Sequence, residues 1–184
     1  MTTVLIVPGL RDAIATHWQT WLAARLPRVR SVAPMGRTDL DCAARVAAIE
    51  EAAQGVAGPL VIVAHSGGCI MVAHWARRST RAVHGALLAT PPDFETPLPE
   101  GYPTMAALDA AGWLPVPRQR LPFRSVVAAS RNDPLGRFER VAGLDAAWGS
   151  ELVDLGDVGH LNPASSHGPW PAAEEHIARL SAPH

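Results

Sequence analysis

The sequence predicts a three-layer α/β/α domain built on a doubly wound, mostly parallel sheet of about six strands. Short apolar runs alternate with longer segments whose apolar residues recur at helical spacing, and each such unit takes about 30 residues. The runs lack polar alternation, which is typical of strands buried on both faces. The length of 184 residues suits one domain spanning 1–184.

Six segments have strand character because they are short and rich in Val, Leu, Ile and Ala. They are 4–7, 29–33, 60–64, 84–90, 125–130 and 152–155. The run 60–64 has the strongest strand pattern, and 29–33 has a weaker one. Right-handed crossovers bring the carboxyl ends of such strands to one edge of the sheet, where ligands bind. Reactive residues are therefore expected just after strands.

Helical spacing of apolar residues predicts five helices between these strands. They are 13–26, 40–54, 67–78, 135–148 and 172–180. The segment 91–122 is different, because it holds eight of the 17 prolines and one short helical pattern at 104–111. An irregular segment of this length indicates a functional surface loop. No repeat or linker divides the chain.

Composition narrows the class of function. Hydrophobic residues make up 48% of the chain and charged residues 18%, as in ordinary globular proteins. The net charge of −1 argues against binding to nucleic acid or to a membrane surface. All 16 basic residues are arginine, which excludes Schiff-base chemistry and a lysine-bearing phosphate loop.

Cysteine and metal-ligand patterns predict neither a metal site nor a cofactor. Cys42 and Cys69 are too few for a disulfide framework or a zinc site, so both are expected to be reduced, small apolar residues. No H-E-x-x-H or comparable ligand cluster occurs. The apolar run near the N-terminus is short and lacks a basic flank, and no stretch is long enough to span a membrane. The expected compartment is the cytoplasm.

The segment VIVAHSGGC, residues 61–69, runs from a strand into a helix through a serine. Ala64 and Gly68, two residues either side of Ser66, are small enough to let the helix approach the strand. This is the G-x-S-x-G pattern with alanine in first place, which predicts an exposed nucleophile on a sharp, strained turn. Taken alone, the same residues also fit a glycine-rich turn with a serine N-cap.

A serine hydroxyl needs a histidine to take its proton and a carboxylate to orient that histidine. Asp133 lies three residues beyond the strand 125–130, and His160 lies five residues after the strand 152–155. The chain order Ser66, Asp133, His160 is that of α/β-hydrolases. This combination is a stronger signal than the elbow pattern alone.

Other residues compete for the same roles. Asp93 also follows a strand and is an alternative acid, and His167 is the second choice for the base. His65 is expected to point away from the serine, and His74 to be packed or exposed. Asp154 and Asp157 are too close in sequence to His160 to come from another strand. Instead of serving as the acid, they are expected to face solvent or to cap the loop.

Backbone N–H groups are expected to form an oxyanion hole. The Gly67 N–H directly follows the serine and begins a helix, whose dipole favours a negative oxygen. The Leu10 N–H follows the turn Pro8-Gly9 at the end of the first strand, the place from which α/β-hydrolases supply the second donor.

Four segments carry a resemblance to a known family: PGLRDAIATHWQTWL, VAHSGGC, SRNDPLGRFER and LGDVGHLNPASSHGPWP. They resemble the small, lid-less serine hydrolases of α/β-hydrolase fold, which include bacterial predicted esterases and the retinoblastoma-binding serine hydrolase. The resemblance spans 4–177 and implies that Ser66 is the nucleophile, Asp133 the acid and His160 the base. It implies a minimal fold without a large cap domain.

The retinoblastoma-contacting pattern Leu-x-Cys-x-Glu is absent, because the segment 40–44 ends in Ala44. That partner is therefore not carried over. The expected function is a cofactor-free serine hydrolase that cleaves a small-molecule ester, thioester or amide through an acyl-enzyme on Ser66. The acyl pocket is expected between the segment 91–122 and the residues after His160. Trp113 is a candidate for its wall, and the alternative, commoner for an aromatic residue in a loop, is that the ring is simply packed.

Two other classes of function fit parts of the pattern. A binding or scaffold protein would keep the fold with little or no turnover, since fold does not guarantee chemistry. A flavodoxin-like nucleotide binder would need phosphate loops, and no G-x-G-x-x-G or lysine-bearing loop occurs. The sequence does not specify the oligomeric state, the acyl chain length, or a lid function for the segment 91–122.

Overall fold

The computed structural model describes residues 1–11, 14–33, 35–36 and 38–182. Six strands form one sheet in the order β2-β1-β3-β4-β5-β6, and every neighbouring pair is parallel. The strands are β1 Thr3–Val7, β2 Val29–Ser31, β3 Leu60–His65, β4 Gly85–Ala89, β5 Arg124–Ala129 and β6 Glu151–Asp154. The predicted three-layer architecture and all six strands are confirmed.

The helices follow the predicted alternation. They are α1 Trp18–Arg25, α2 Cys42–Gln54, α3 Gly67–Ala76, α4 Met105–Ala110, α5 Phe138–Trp148 and α6 Ala172–Ser181, with a 3₁₀ turn at Pro163–Ser165. The predicted start of the first helix, Ala13, lies outside the described residues. The helix itself begins at Trp18, because the His17 side chain caps it by accepting a hydrogen bond from the Gln19 N–H.

The fourth predicted helix also begins later than expected, at Phe138 rather than at residue 135. The Asp133 carboxylate accepts a hydrogen bond from the Leu135 N–H over 2.9 Å, which turns the chain before the helix starts. Leu135 therefore lies in the connection after β5 instead of in the helix.

Successive residues of each strand point to opposite faces of the sheet, and they pack into two apolar cores, one on each face. On one face, α2, α3 and α5 cover residues such as Leu5, Ile62 and Val127. On the other face, α1 and α6 cover residues such as Ile6 and Val63. Burial on both faces explains the unbroken apolar runs in the sequence.

The direction in which strands are added reverses between β1 and β3. After β1 the chain adds β2 at one edge of the sheet, and it then returns to place β3 to β6 on the opposite side of β1. Clefts at the carboxyl ends of strands at such a point are the usual ligand sites of open parallel sheets. Gly9 follows β1 and Ser66 follows β3, so the predicted nucleophile lies at this switch point.

The segment 91–122 contains one helix, α4, and is packed onto the larger core through several side chains. Trp113 is one of them: it is fully buried, its ring packs against Phe94, and its Nε1 donates to the Leu40 carbonyl over 2.7 Å. The indole is held in the core by these contacts. Of the two alternatives for Trp113, the structure supports packing in the core, and the residue does not line the cavity above Ser66.

Both cysteines are free and buried, as predicted. The Cys69 Sγ–H donates to the Ala89 carbonyl over 3.3 Å. Burial raises the pKa of Cys69 well above its usual range, and burial together with Asp41 raises that of Cys42 to about 11. No helix in the described part of the chain is long and apolar enough to cross a bilayer.

Candidate active site

Ser66 occupies a sharp turn between β3 and α3 with φ 55° and ψ −131°. A positive φ is strained for a residue with a side chain, and such strain clusters at functional sites. Gly68 permits the turn, because a Cβ there would lie 2.6 Å from the Pro8 carbonyl oxygen and 2.7 Å from that of Val7. Only glycine lets α3 approach the end of β1 this closely.

The structure brings Ser66, His160 and Asp133 into hydrogen-bonding contact. His160 Nε2 lies 2.7 Å from Ser66 Oγ, and His160 Nδ1 lies 2.9 and 3.0 Å from the two Asp133 carboxylate oxygens. A proton on Nδ1 donates to the carboxylate, which leaves Nε2 as the acceptor for the serine hydroxyl. Both His160 and Asp133 are buried, so water competes little for these bonds.

Several hydrogen bonds fix the backbone of His160. Its carbonyl oxygen accepts from His65 Nε2 over 2.9 Å and from Thr90 Oγ1 over 3.4 Å. Its N–H donates to Ser165 Oγ over 2.9 Å. The preceding Gly159 N–H donates to the Asn132 amide oxygen over 2.7 Å. The backbone that carries the imidazole is thus held by the last residue of β3 and by residues that follow β4, β5 and β6.

Asp93, the alternative acid, is occupied elsewhere. Arg140 donates to both of its carboxylate oxygens, over 2.7 and 3.1 Å, and Thr96 Oγ1 donates over 3.0 Å. Burial alone would raise the pKa of Asp93, but the hydrogen bonds from Arg140, Thr96 and the Glu95 N–H outweigh it and lower the pKa. Asp133 is therefore the acid beside the imidazole.

The other histidines and acids also lie apart from the serine. His167 Nδ1 is engaged with the Gly168 carbonyl over 2.9 Å on the surface, and His74 Nε2 with the Trp113 carbonyl over 3.1 Å. Burial lowers the pKa of His74. Asp154 pairs with Arg131 at the end of β6.

The two residues expected to supply the oxyanion donors lie next to each other. A Cβ at Gly67 would lie 2.8 Å from Leu10 Cγ, and one at Gly9 would lie 3.1 Å from Ser66 Cβ. Neither the Leu10 nor the Gly67 N–H donates a hydrogen bond to any described residue. An oxyanion hole needs N–H donors that are free in this way, and the assignment of these two stays a prediction.

Two polar residues that support the site, Gln19 and His17, were not found from the sequence. Gln19 is buried, and its Nε2 donates to the carbonyls of Val7 and Val63, both over 3.2 Å, which ties the ends of β1 and β3 together. The His17 ring lies edge-on to His65 with centroids 4.7 Å apart. Burial, with smaller effects from nearby histidines, lowers the pKa of His17 to about 4, so it is neutral near pH 7. The sequence feature that could have revealed them is the run His-Trp-Gln, which places polar residues at the start of a helix whose other residues there are mostly apolar.

A cavity of about 480 Å³ opens above Ser66. The segment 91–122 supplies one side of it and the residues after His160 another, as predicted. The apolar part of the wall consists mainly of Leu10, Leu40, Pro92, Phe94, Leu98 and Leu135. Within the described residues no group of three or more His, Cys, Asp or Glu side chains could hold a metal ion.

Known proteins resemble this chain over almost its full length. A family model described as serine hydrolase matches residues 4–179. Among solved structures, a YdeN-like hydrolase from Pectobacterium atrosepticum is 27% identical with a TM-score of 0.83, over 98% of this chain and 90% of that chain. No match was found among curated proteins.

Two further solved structures share the fold at lower identity. The ydeN gene product of B. subtilis is 17% identical with a TM-score of 0.75, over 98% of both chains. Est1E from Butyrivibrio proteoclasticus, solved with ferulic acid bound, is 12% identical with a TM-score of 0.73, over 98% of this chain and 89% of that chain. The expected α/β-hydrolase fold is thereby confirmed, and the described residues form no large cap domain.

Proposed function

The chain belongs to the serine hydrolase family, and from this membership we propose that it cleaves a small ester, thioester or amide through an acyl-enzyme on Ser66. The observation that carries the proposal is the 2.7 Å contact between Ser66 Oγ and His160 Nε2, with Asp133 on the other ring nitrogen. The family favours an enzyme over a binding or scaffold protein.

In the acylation step, Ser66 Oγ attacks the substrate carbonyl carbon while its proton passes to His160 Nε2. The carbonyl oxygen becomes an oxyanion and accepts hydrogen bonds from the Leu10 and Gly67 N–H groups. Loss of one such donor typically raises the barrier by about 3 kcal/mol. His160 then gives its proton to the leaving alcohol, thiol or amine as that bond breaks, and the acyl group stays on Ser66.

Water completes the cycle by the same route. His160 takes a proton from a water molecule, whose oxygen attacks the acyl carbon, and the proton returns to Ser66 Oγ as the acid leaves. Asp133 keeps the imidazole in the tautomer that both steps need, and stabilises the imidazolium between them. No step needs a metal ion or an organic cofactor. The cavity volume of about 480 Å³ suits a small-molecule substrate.

The test compares wild type with Ser66→Ala on p-nitrophenyl esters, thioesters and aminoacyl amides, together with labelling by a fluorophosphonate probe. Ser66→Ala is expected to lose turnover by about 10⁴-fold or more, and to lose labelling. Ser181→Ala is the matched control, because Ser181 lies at the end of α6 and donates to the Ile177 carbonyl. Labelling of Ser66→Ala to the wild-type extent would overturn the proposal.

A further inference from the structure

A positively charged side chain, that of Arg11, lines the cavity above Ser66. Among the described residues that line it, Arg11 is the only arginine, and none is an aspartate or glutamate. Asp133 does not line the cavity, because it lies behind His160. The rest of the wall is apolar, small or uncharged. Arg11 itself is exposed, so its charge is partly screened by solvent and responds to added salt.

The Arg11 guanidinium is held in position by two contacts with the segment 91–122. Its Nη2 donates to the Gly101 carbonyl over 2.6 Å, and its central carbon lies 4.1 Å from the centroid of the Tyr102 ring. A cation stacked on an aromatic face is restrained in orientation. The group is thus set in place before a ligand arrives, which reduces the entropy lost on binding.

Arg11 forms no ion pair with a described carboxylate, although five other arginines do. Those five are Arg25, Arg118, Arg131, Arg140 and Arg179. A guanidinium has five N–H donors, and one recorded hydrogen bond engages only Nη2. The remaining donors keep the fork geometry that matches the two oxygens of a carboxylate.

Arg11 lies on the same cavity as the serine. It follows Gly9 by two residues, and a Cβ at Gly9 would be 3.6 Å from Ser66 Oγ. Arg11 and Ser66 both line the cavity, so one ligand bound there can contact the guanidinium and the serine hydroxyl.

We infer that Arg11 binds a carboxylate of the substrate, so that the enzyme prefers esters, thioesters or amides that carry a negative charge. The inference rests on the proposed function of Ser66. A carboxylate fits better than a phosphate dianion, since the cavity wall offers one cation with a two-pronged donor set.

The experiment uses two pairs of esters in which one member carries a carboxylate and the other a neutral group at the same position, and hydrolysis is followed by acid release. Monomethyl adipate and dimethyl adipate place the charge on the acyl side. The kcat/KM of dimethyl adipate is halved before comparison, because this diester has two equivalent cleavable bonds. 3-Acetoxybenzoate and 3-acetoxybenzamide place it on the leaving group. The measured quantity is the ratio of kcat/KM for the charged ester to that for the neutral ester. Wild type is expected to favour the charged ester of at least one pair, and added NaCl to reduce the ratio.

Arg11→Gln is expected to lower this ratio by about 10- to 100-fold, through KM more than kcat, because the lost contact acts in the ground state as well as the transition state. Arg11→Lys keeps the charge without the fork and is expected to retain part of the preference. Arg28→Gln removes an exposed arginine elsewhere and controls for net charge. The pair in which the ratio falls identifies the side of the substrate that carries the carboxylate.

The carboxylate site would be overturned if wild type cleaved the charged and neutral esters equally well in both pairs. It would also be overturned if Arg11→Gln left the wild-type kcat/KM ratio unchanged in both pairs. Neither result affects the proposed function, which is tested separately by hydrolysis of the neutral esters and by probe labelling of Ser66. Failure of wild type to cleave any of the esters, with no probe labelling, would count against the proposed function itself.

Discussion

His65 donates a hydrogen bond from Nε2 to the carbonyl oxygen of His160 across 2.9 Å. The residue directly before Ser66 thus anchors the backbone of the residue whose imidazole contacts Ser66. Its ring lies edge-on to Trp18, with centroids 5.9 Å apart, and 5.0 Å from the His160 ring. Burial and the neighbouring histidines lower the pKa of His65 well below its usual range, so it is a neutral donor.

Loss of this anchor is expected to slow turnover. His65→Leu removes the donor, and we expect kcat to fall by about 10- to 100-fold with a smaller change in KM, because a small misplacement of a general base is costly. His65→Gln retains an N–H donor and is expected to keep more activity. Steady-state kinetics on one p-nitrophenyl ester measures both. A His65→Leu enzyme with wild-type kcat would show that the anchor has no positioning role.

Two aspartates that both follow strands are expected to respond differently to the same substitution. Asp133→Asn should lower kcat by about 10⁴-fold, because the amide no longer holds the tautomer of His160 that accepts the serine proton. Asp93→Asn should instead weaken the pairing with Arg140 and reduce the free energy of unfolding, while most turnover remains. Kinetics and urea denaturation of both variants check this. Equal kinetic losses would return Asp93 to the role of acid.

Gly68 is expected to be intolerant of a methyl group. In Gly68→Ala the new Cβ would lie 2.6 Å from the Pro8 carbonyl oxygen, so α3 or the end of β1 must move. We expect a loss of several kcal/mol in unfolding free energy together with lower activity. Gly143→Ala in α5 is the matched control, since its Cβ would meet nothing within 4 Å, and a stabilisation of about 0.5–1 kcal/mol is expected. Similar urea midpoints for the two variants would refute the steric argument.

The buried His17 makes stability depend on pH. In the unfolded chain a histidine binds a proton below about pH 6.5, whereas folded His17 stays neutral down to about pH 4. The unfolded state therefore binds more protons between these values. The stability that His17 contributes is present above pH 6.5 and is lost as the pH falls towards 4, by about 3 kcal/mol at most.

His17→Phe is expected to flatten this pH dependence. Unfolding free energies from urea titrations at pH 7 and pH 4.5 should differ less in the variant than in wild type. His65 has a pKa lowered in the same direction, so part of the slope should remain. A slope unchanged by His17→Phe would show that the imidazole at position 17 does not titrate differently on unfolding.

Features that depend on local pattern were predictable from the sequence. The strand ends that carry Ser66, Asp133 and His160 follow from apolar runs and from the order of motifs along the chain. Gln19 and His17 were missed because their importance comes from contacts between separate segments, such as Gln19 with the carbonyl of Val63. Helical spacing extended the first helix back to residue 13, because periodicity does not reveal that a histidine side chain caps the helix at residue 17.

Position and chain order favoured Asp133 over Asp93, but the physical reason that Asp93 is engaged elsewhere could not be predicted from the sequence. Both acids follow strands, and the difference arises from Arg140, a residue far along the chain that pairs with Asp93. Two alternatives stayed open for Trp113 for a similar reason, since an aromatic residue in a proline-rich segment can face either a ligand or the core.

Both thiols are sealed in the interior and resist ionisation, which has a practical consequence for handling the enzyme. Alkylating agents and mild oxidants should leave folded protein untouched, so assays need no reductant, and a cysteine introduced at the surface would become the one thiol available for attaching a fluorophore or a solid support.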